Sequence, residues 1–409
     1  MKKLLNNSVV CHSIGILGSL LLIDLLTGWR DQLPFTVINS FWLISAAYLG
    51  ASITIPKITN YLLVDRKFYI LPVLASTYGI IIGSIFLLRI DYSREVLIYG
   101  FALHLAWMYT STAVRAEQHK LRFSVIDNFD YSAINPRLAR LTITPLVELN
   151  LSKVQDGLVV DLHKDLTAEQ EKFVADCSIN NIPVFHSESI IEMVEGKVQT
   201  KHLSENAIGT LIPNPLYHTL KRIWESILII LSLPITLPVM LMTAILIKLE
   251  SPGPAMFIQE RVGQGGKSFR IYKFRSMTVK KDDSSDKFAT QEQARVTKVG
   301  KVIRKVRIDE LPQFFNVLKG EMSLIGPRPE QESFVKQFEQ EIPFYGYRHM
   351  VKPGITGWAQ TVQGYADDTD STRNKLAHDL YYIKHLSFWL DMNIVLKTIR
   401  TILTGFGAK

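Results

Sequence analysis

The sequence predicts a membrane protein of class α plus α/β, in which a helical bundle is joined to α/β domains. Three observations predict it. Four apolar stretches fill the first quarter of the chain, at about 10–27, 35–55, 70–89 and 95–114, each near the ~20 residues that a spanning helix needs. Strand and helix patterns then alternate from 121 to 195, as they do where crossover helices cover a parallel sheet. A further apolar run at 227–247 precedes a basic segment punctuated by glycine and proline turns. The 409 residues suffice for two or three domains, and the patterns divide them at 1–115, 116–205 and 206–409.

The first stretch reads as a span and not a signal peptide, because no small-residue cleavage site precedes the three that follow. Lys2 and Lys3 lie before it, Lys57, Arg66 and Lys67 lie between the second and third, and Arg115, Lys120 and Arg122 follow the fourth. Lys and Arg excess marks the cytoplasmic side, so the bundle predicts a multi-pass protein with everything after residue 115 cytoplasmic. Charge is sparse within the spans, which argues against a flippase or channel. The formal net charge is +8, suited to phosphate ligands, nucleic acid or an anionic membrane face. Nucleic acid is set aside, since no aromatic-basic platform is present. Cys11 and Cys177 build neither a disulfide framework nor a cysteine zinc site, and the ten histidines show no paired metal-ligand spacing. His349, near a basic loop, reads as a core or surface histidine more readily than as a phosphate ligand.

In the middle region, 121–126, 157–162 and 182–185 read as strands. Thr167–Asn180 reads as a helix whose Thr167 and Gln170 form a capping box, and Glu188–Glu195 as a short helix. The order suggests a small Rossmann-like cytoplasmic domain. The turn after its first strand, 127–130, lacks the glycines that bind a dinucleotide. The domain therefore reads as structural or regulatory, without a nucleotide. The polar stretch 280–293 reads as a loop.

Residues 227–247 carry no charge, and by length alone they form a fifth span. Two features oppose that. Pro234 and Pro238 lie mid-segment, and each removes an amide donor and obstructs the preceding turn. A full span would also place the many cations after 248 outside. A re-entrant helix over 222–250, broken at the prolines, satisfies both. Each half of roughly eight or nine residues reaches about 12–14 Å at 1.5 Å per residue, about one leaflet, and Lys221, Arg222 and Lys248 anchor both ends in one headgroup layer.

The basic segment carries the chemistry. Gly263–Ser268 is not a P-loop, because a strand pattern follows it. On that strand Arg270, Tyr272 and Phe274 alternate with Ile271, Lys273 and Arg275, so cations on both faces suit several phosphate oxygens. The Asp309–Glu310 pair lies behind a basic run, 304–307, and ahead of Leu311, Phe314, Phe315 and Leu318. Carboxylates between cations and an oily surface suit phosphate chemistry beside a membrane, although Asp309 taken alone reads more readily as a helix N-cap. The turns at 326–329 and 352–360 can present Arg328 and backbone amides to an anion. The last helix, 385–403, carries Phe388, Met392, Val395, Ile399 and Ile402 at helical spacing, for packing or for lying on the membrane.

Together, residues 217–404 resemble the monotopic polyprenyl-phosphate sugar-1-phosphate transferases, the bacterial sugar transferase family. The resemblance rests on Lys221-Arg-Ile, Lys248-Leu-Glu-Ser-Pro-Gly-Pro254, Gln259-Glu-Arg-Val-Gly263, Tyr272-Lys-Phe-Arg-Ser-Met277, Asp309-Glu-Leu-Pro-Gln313, Gly326-Pro-Arg-Pro329 and Pro353-Gly-Ile-Thr-Gly-Trp-Ala-Gln360. It implies a catalytic α/β domain on the membrane surface at the cytoplasmic face of the bacterial inner membrane. It implies that Asp309 attacks the sugar-bearing phosphorus of a UDP-sugar, expelling UMP, and that undecaprenyl phosphate then takes the phosphosugar. Glu310 would hold Mg²⁺, and Arg304 would steer phosphate. Lys273, Arg275, Arg328 and Gln360 are the substrate-binding candidates. Such enzymes start exopolysaccharide, capsule or O-antigen synthesis, and residues 363–365 point to a hexose, glucose or galactose. Leu237 stands where a serine commonly precedes Pro238, so Thr236 or Ser232 would have to satisfy the freed backbone. The competing reading is a non-catalytic regulator or transport component of polysaccharide assembly. The bundle or the middle domain offers surfaces for a homodimer.

Overall fold

A computed structural model describes residues 8–28, 34–59, 66–116, 121–126, 141–198, 213, 215–278, 295–363 and 369–404. The turn at 127–130, the polar stretch 280–293, the acidic stretch from Gly364, and Lys2, Lys3 and Lys120 lie outside them. The chain divides into two compact units, 1–196 and 197–409.

The first unit begins with helices α1 (Ser8–Thr27), α2 (Phe35–Ile58), α3 (Lys67–Leu88) and α4 (Arg94–Ala116). They answer the four predicted stretches, but they are not equivalent. By length and composition α1, α2 and α3 are apolar enough to cross a membrane, and α4 is not among the described helices that are. Polar residues explain this. α4 packs on the other three helices, and its buried His104 pairs with Ser19 at 2.9 Å and Tyr78 at 2.8 Å. A polar centre of this kind is stable in an apolar bundle because both ring nitrogens are matched.

A four-stranded parallel sheet follows, built from β1 (Leu121–Val125), β2 (Leu141–Pro145), β3 (Gly157–Val160) and β4 (Val184–His186), in the order β2-β1-β3-β4. β2 was not foreseen, since Leu141–Pro145 is short and half-buried. α5 (Ala168–Ile179) covers one face through Phe173 and Cys177, and α6 (Ser187–Glu195) covers the other through Ile190 and Val194. The predicted capping box is present, with the Gln170 amide donating to Thr167 Oγ1 at 3.3 Å and the Thr167 amide donating to Gln170 Oε1 at 3.0 Å. The fold also gathers His163, His186 and Glu188, whose possible ligand atoms lie within 4.8 Å of one another. Sequence spacing did not show this, because the loop after β3, the end of β4 and the first turn of α6 supply them. They serve one another: His186 Nδ1 caps α6 by accepting from the Glu188 amide at 3.0 Å, and His163 Nε2 lies 3.5 Å from the Glu188 carboxylate.

The second unit contains α7 (Pro215–Glu250), a single 36-residue helix that continues through Pro234 and Pro238 rather than ending at them. The Ser232 hydroxyl donates to the Ile229 carbonyl and the Thr236 hydroxyl to the Ser232 carbonyl. Neither reaches the carbonyls of Ile230 and Pro234, four residues before the prolines. Around Ile229, the helix packs on Ile271, Val317 and Met322. Around Met240 and Ile247, it packs on Ala255, Phe274 and Ile303. The rest of the unit is an antiparallel pair, β5 (Met256–Val262) with β6 (Ser268–Phe274), then α8 (Lys298–Lys305) and α9 (Gln313–Lys319). Next come β7 (Ser323–Ile325), α10 (Glu332–Glu341) and β8 (Gly354–Thr356), which runs parallel to β7. The chain ends in α11 (Trp358–Val362), α12 (Thr369–Lys384) and α13 (Phe388–Thr404). Leu390, Asp391 and Ile394 bury one side of α13 in the unit, while Phe388 and Ile399 stay exposed.

Candidate active site

Three local devices bring the Asp309–Glu310 pair to β6. Thr297 caps α8, accepting from the Gly300 amide at 2.9 Å. Gly300 has to be glycine, because a Cβ there would lie 2.0 Å from the Ser276 carbonyl oxygen. The Glu250 carboxylate, at the end of α7, accepts from the amides of Lys298 at 2.7 Å and Val299 at 3.0 Å, an anion at a helix N-terminus. The chain then reverses at Arg307, whose φ is 60°, and Ile308–Glu310 form one 3₁₀ turn. Asp309 is therefore not the N-cap that one reading of the sequence allowed: α9 begins after Pro312. Asn316 locks α9 to β6, donating to the Arg270 carbonyl at 2.7 Å and accepting from the Tyr272 amide at 3.1 Å.

Glu310 is buried, and three cations surround it. Its Oε1 accepts from Lys273 Nζ at 3.3 Å and Arg328 Nη2 at 3.1 Å, and its Oε2 lies 3.6 Å from Arg307 Nη1. Burial opposes its charge, but Lys273, Arg328 and Arg307 overcome that and bring its pKa down to about 2. Asp309 differs. Its Oδ1 is buried without a hydrogen-bond partner. Burial and the neighbouring Glu310 charge raise its pKa to about 6, with Lys273 and Arg307 only partly offsetting them. Burial, then repulsion from Arg328, lowers Lys273 to about 8. One carboxylate is thus held charged, while the other has an oxygen free of protein partners.

Arg328 is aimed from behind. Gly326 and Gly354 bring β7 and β8 into close contact: a Cβ on Gly354 would lie 2.1 Å from the Gly326 nitrogen. The Arg328 carbonyl accepts from Arg348 Nη2 at 2.9 Å, and buried Arg348 is itself paired with Asp379 at 2.9 Å. His349 is neutral, since burial and Arg348 push it down to about 4, as a core histidine would be.

Of the sequence candidates, Asp309, Glu310, Lys273 and Arg328 come together. Arg275 does not join them. It is buried at the far end of β6, where its guanidinium donates to the carbonyls of Pro252 at 2.7 Å and Ser251 at 2.8 Å and ties down the end of α7. Arg304 lies in the last turn of α8, and Arg307 is the cation of that run that reaches Glu310. The signal for Arg307 was its i,i+3 spacing to Glu310. Gln360 lies on α11 with its Oε1 buried and unpaired.

Comparison with known proteins follows the same residues. Residues 216–405 match the family described as bacterial sugar transferase. A UDP-N-acetylgalactosamine-undecaprenyl-phosphate N-acetylgalactosaminephosphotransferase of Aeromonas hydrophila is 46% identical over 387 residues, 93% of this chain and 90% of the relative. A UDP-glucose:undecaprenyl-phosphate glucose-1-phosphate transferase of Escherichia coli is 44% identical over 196 residues, covering 45% of this chain and 42% of the relative. One from Caulobacter vibrioides is 39% identical over 202 residues, covering 49% of this chain and 76% of the relative. The chain is therefore a membrane protein and an enzyme, and it belongs to the bacterial sugar transferase family of polyprenyl-phosphate sugar-phosphate transferases.

Proposed function

We propose that this enzyme transfers a sugar-1-phosphate from a UDP-sugar to undecaprenyl phosphate in two displacements, with Asp309 as nucleophile. The observation that carries the reading is the unpartnered Asp309 Oδ1 beside a Glu310 surrounded by cations. The Asp309 oxygen attacks the sugar-bearing phosphorus. The bridging P–O bond breaks, and its electron pair leaves with UMP. An oxygen of undecaprenyl phosphate then attacks the same phosphorus and restores the Asp309 carboxylate. Two in-line steps let donor and acceptor use one site in turn. Lys273 and Arg328 stabilise the charge gathering on the phosphoryl oxygens, with Arg304 and Gln360 proposed for the outer parts of the donor.

Mg²⁺ would be held at Glu310, which it would share with Lys273, Arg307 and Arg328. Glu310 is an ionised oxygen donor, and its Oε2 has only the longer pairing to Arg307. The ion would hold the diphosphate and neutralise the departing UMP.

The full-length similarity to the Aeromonas enzyme favours N-acetylgalactosamine as the sugar. The glucose enzymes of Escherichia coli and Caulobacter vibrioides match less than half of this chain, so glucose and galactose stand as the alternatives. Such a transfer begins a polysaccharide on its lipid carrier at the inner membrane. α7 supports a re-entrant course with the catalytic unit on the cytoplasmic face. Both flanks of its apolar run, at Ile229 and at Met240 and Ile247, pack on the same unit, while Ile235 and Leu237 between them are exposed. A full span over 227–247 would carry the many cations after 248 to the far side of the bilayer.

The test is UMP release with undecaprenyl phosphate and a panel of UDP-N-acetylgalactosamine, UDP-N-acetylglucosamine, UDP-glucose and UDP-galactose. With acceptor omitted, phosphorus-labelled donor should leave label on the protein, and none on Asp309→Asn. Unchanged UMP release by Asp309→Asn would sink the mechanism.

A further inference from the structure

The first turns of α7 expose Leu216, Leu220, Ile223 and Ile227, which fall on one stripe. The same turns of the helix line a small, solvent-open cleft, whose polar wall includes His218, Lys221, Arg222, Glu225, Lys352 and Tyr382. It contains none of Asp309, Glu310, Lys273 or Arg328, so it is separate from the reaction centre. Two of its charges are matched within the wall. Lys221 pairs with Asp391 at 2.5 Å and with Glu225 at 3.5 Å. The Glu225 carboxylate also accepts from Ser323 Oγ at 2.7 Å and the Ile325 amide at 3.4 Å.

Arg222 and Lys352 are left over. Neither side chain takes part in any hydrogen bond or ion pair among the described residues. Gly320 admits the Arg222 guanidinium to the C-terminal end of α9: its φ is +84°, and a Cβ there would lie 3.1 Å from Arg222 Nη2. Burial and then the Arg222 charge lower the Lys352 pKa, with Glu225 only partly offsetting them. Two cations crowd one cleft whose nearest carboxylate, Glu225, is already engaged by Lys221 and Ser323, and they leave room for an anion from outside. The apolar stripe beside them indicates that the anion comes with a hydrocarbon tail.

We propose that this cleft seats the phosphodiester headgroup of an anionic membrane lipid on Arg222 and Lys352, with the acyl chains along the Leu216–Ile227 stripe. A soluble phosphate would satisfy the cations but leave the stripe unused. The seat would fix the depth and rotation of α7 in the headgroup layer, independently of which sugar the enzyme transfers or whether it forms a covalent intermediate.

The test uses the full chain in nanodiscs of equal parts phosphatidylglycerol and phosphatidylcholine, with retained lipid counted by native mass spectrometry after transfer to mild detergent. The wild type should retain phosphatidylglycerol in excess. Each cation removed should reduce that excess by about five-fold, so Lys352→Gln alone should lose about that much and Arg222→Gln with Lys352→Gln more. The charge-keeping pair, Arg222→Lys with Lys352→Arg, should retain it. An undiminished excess in a folded Lys352→Gln variant overturns the proposal. So does loss of the excess in the charge-keeping pair, which would make the effect one of packing. Displacement of the lipid by inorganic phosphate as readily as by phosphatidylglycerol vesicles overturns it too, because the cleft would then take a soluble anion. None of these readouts depends on transferase activity.

Discussion

Two buried charge clusters in the second unit look alike in composition and differ in completeness. At the foot of α7, Lys221 pairs with Asp391 and Glu225. Tyr382 donates to Asp391 at 2.9 Å and Tyr217 donates to it at 2.5 Å, while Glu225 accepts from Ser323. The carboxylates there have their partners, and the cluster joins α7, α13 and β7. At the Asp309–Glu310 turn, three cations meet one ionised carboxylate, and the second carboxylate has a buried oxygen with no partner. A saturated cluster fixes the positions of helices. An unsaturated one holds unfavourable energy that a substrate can relieve.

Substitutions should separate the two clusters by readout. Asp309→Asn should lower UMP release by roughly 10⁴-fold or more, as loss of a nucleophile does, with the melting temperature unchanged or raised. The sign follows from its pKa. A carboxyl raised from 3.8 to about 6 binds its proton more tightly in the native state. Its charge therefore lowers stability as pH rises through that window, and removing it relieves the cost. Asp391→Asn should do the opposite. It leaves Lys221 buried with a weakened partner, and thermal or chemical unfolding should show a loss of about 3–5 kcal/mol. A stable, inactive Asp391→Asn would break the comparison.

Glu310→Gln comes next. It removes the carboxylate that binds Lys273, Arg328 and Arg307, and turnover should fall on the order of 10²-fold, with more Mg²⁺ needed for half-maximal rate. The pH profile sharpens the contrast at smaller amplitude. Asp309 must be ionised to attack, so kcat/KM should fall as pH drops through about 6. Lys273 must be charged, so kcat/KM should fall again above about 8. Asp309→Asn should lose the acid limb of its residual rate, and a surviving limb would assign it to another group.

Much of this was legible before folding. Apolar length gave the helices of the bundle, Thr167 and Gln170 gave the start of α5, and the basic-acidic-apolar order gave Asp309 and Glu310. Long-range geometry was not legible. Arg275 and Lys273 share one side of β6 in the alternation, yet the first ties down the end of α7 and the second meets Glu310. The assignment depends on what packs against each end of the strand. Arg307 was overlooked in favour of Arg304: its i,i+3 spacing to Glu310 was visible, but the left-handed turn at 307 that carries the pairing was not. The saturated cluster was invisible for the same reason: Lys221 and Asp391 lie 170 residues apart.

The smallest expected effect comes from removing the first unit altogether. Its cores, around Val159 and Ile190 and around Leu158 and Phe173, are built from its own residues. The carboxylate turn, its cations and both packing surfaces of α7 belong to residues 197–409. A chain beginning at Lys197 keeps the hydrogen bond that the Val198 amide donates to the Ala377 carbonyl at 3.0 Å, and this favours cutting there over cutting at 206. Placed in lipid, it should transfer sugar phosphate within a few-fold of the full chain, since loss of a separate domain removes no group from the reaction centre. The measurement is kcat/KM for UMP release alongside the melting temperature. If the shortened chain melts normally but turns over a hundred-fold more slowly, the first unit supplies part of the site, and the unsaturated cluster is not the whole of the chemistry.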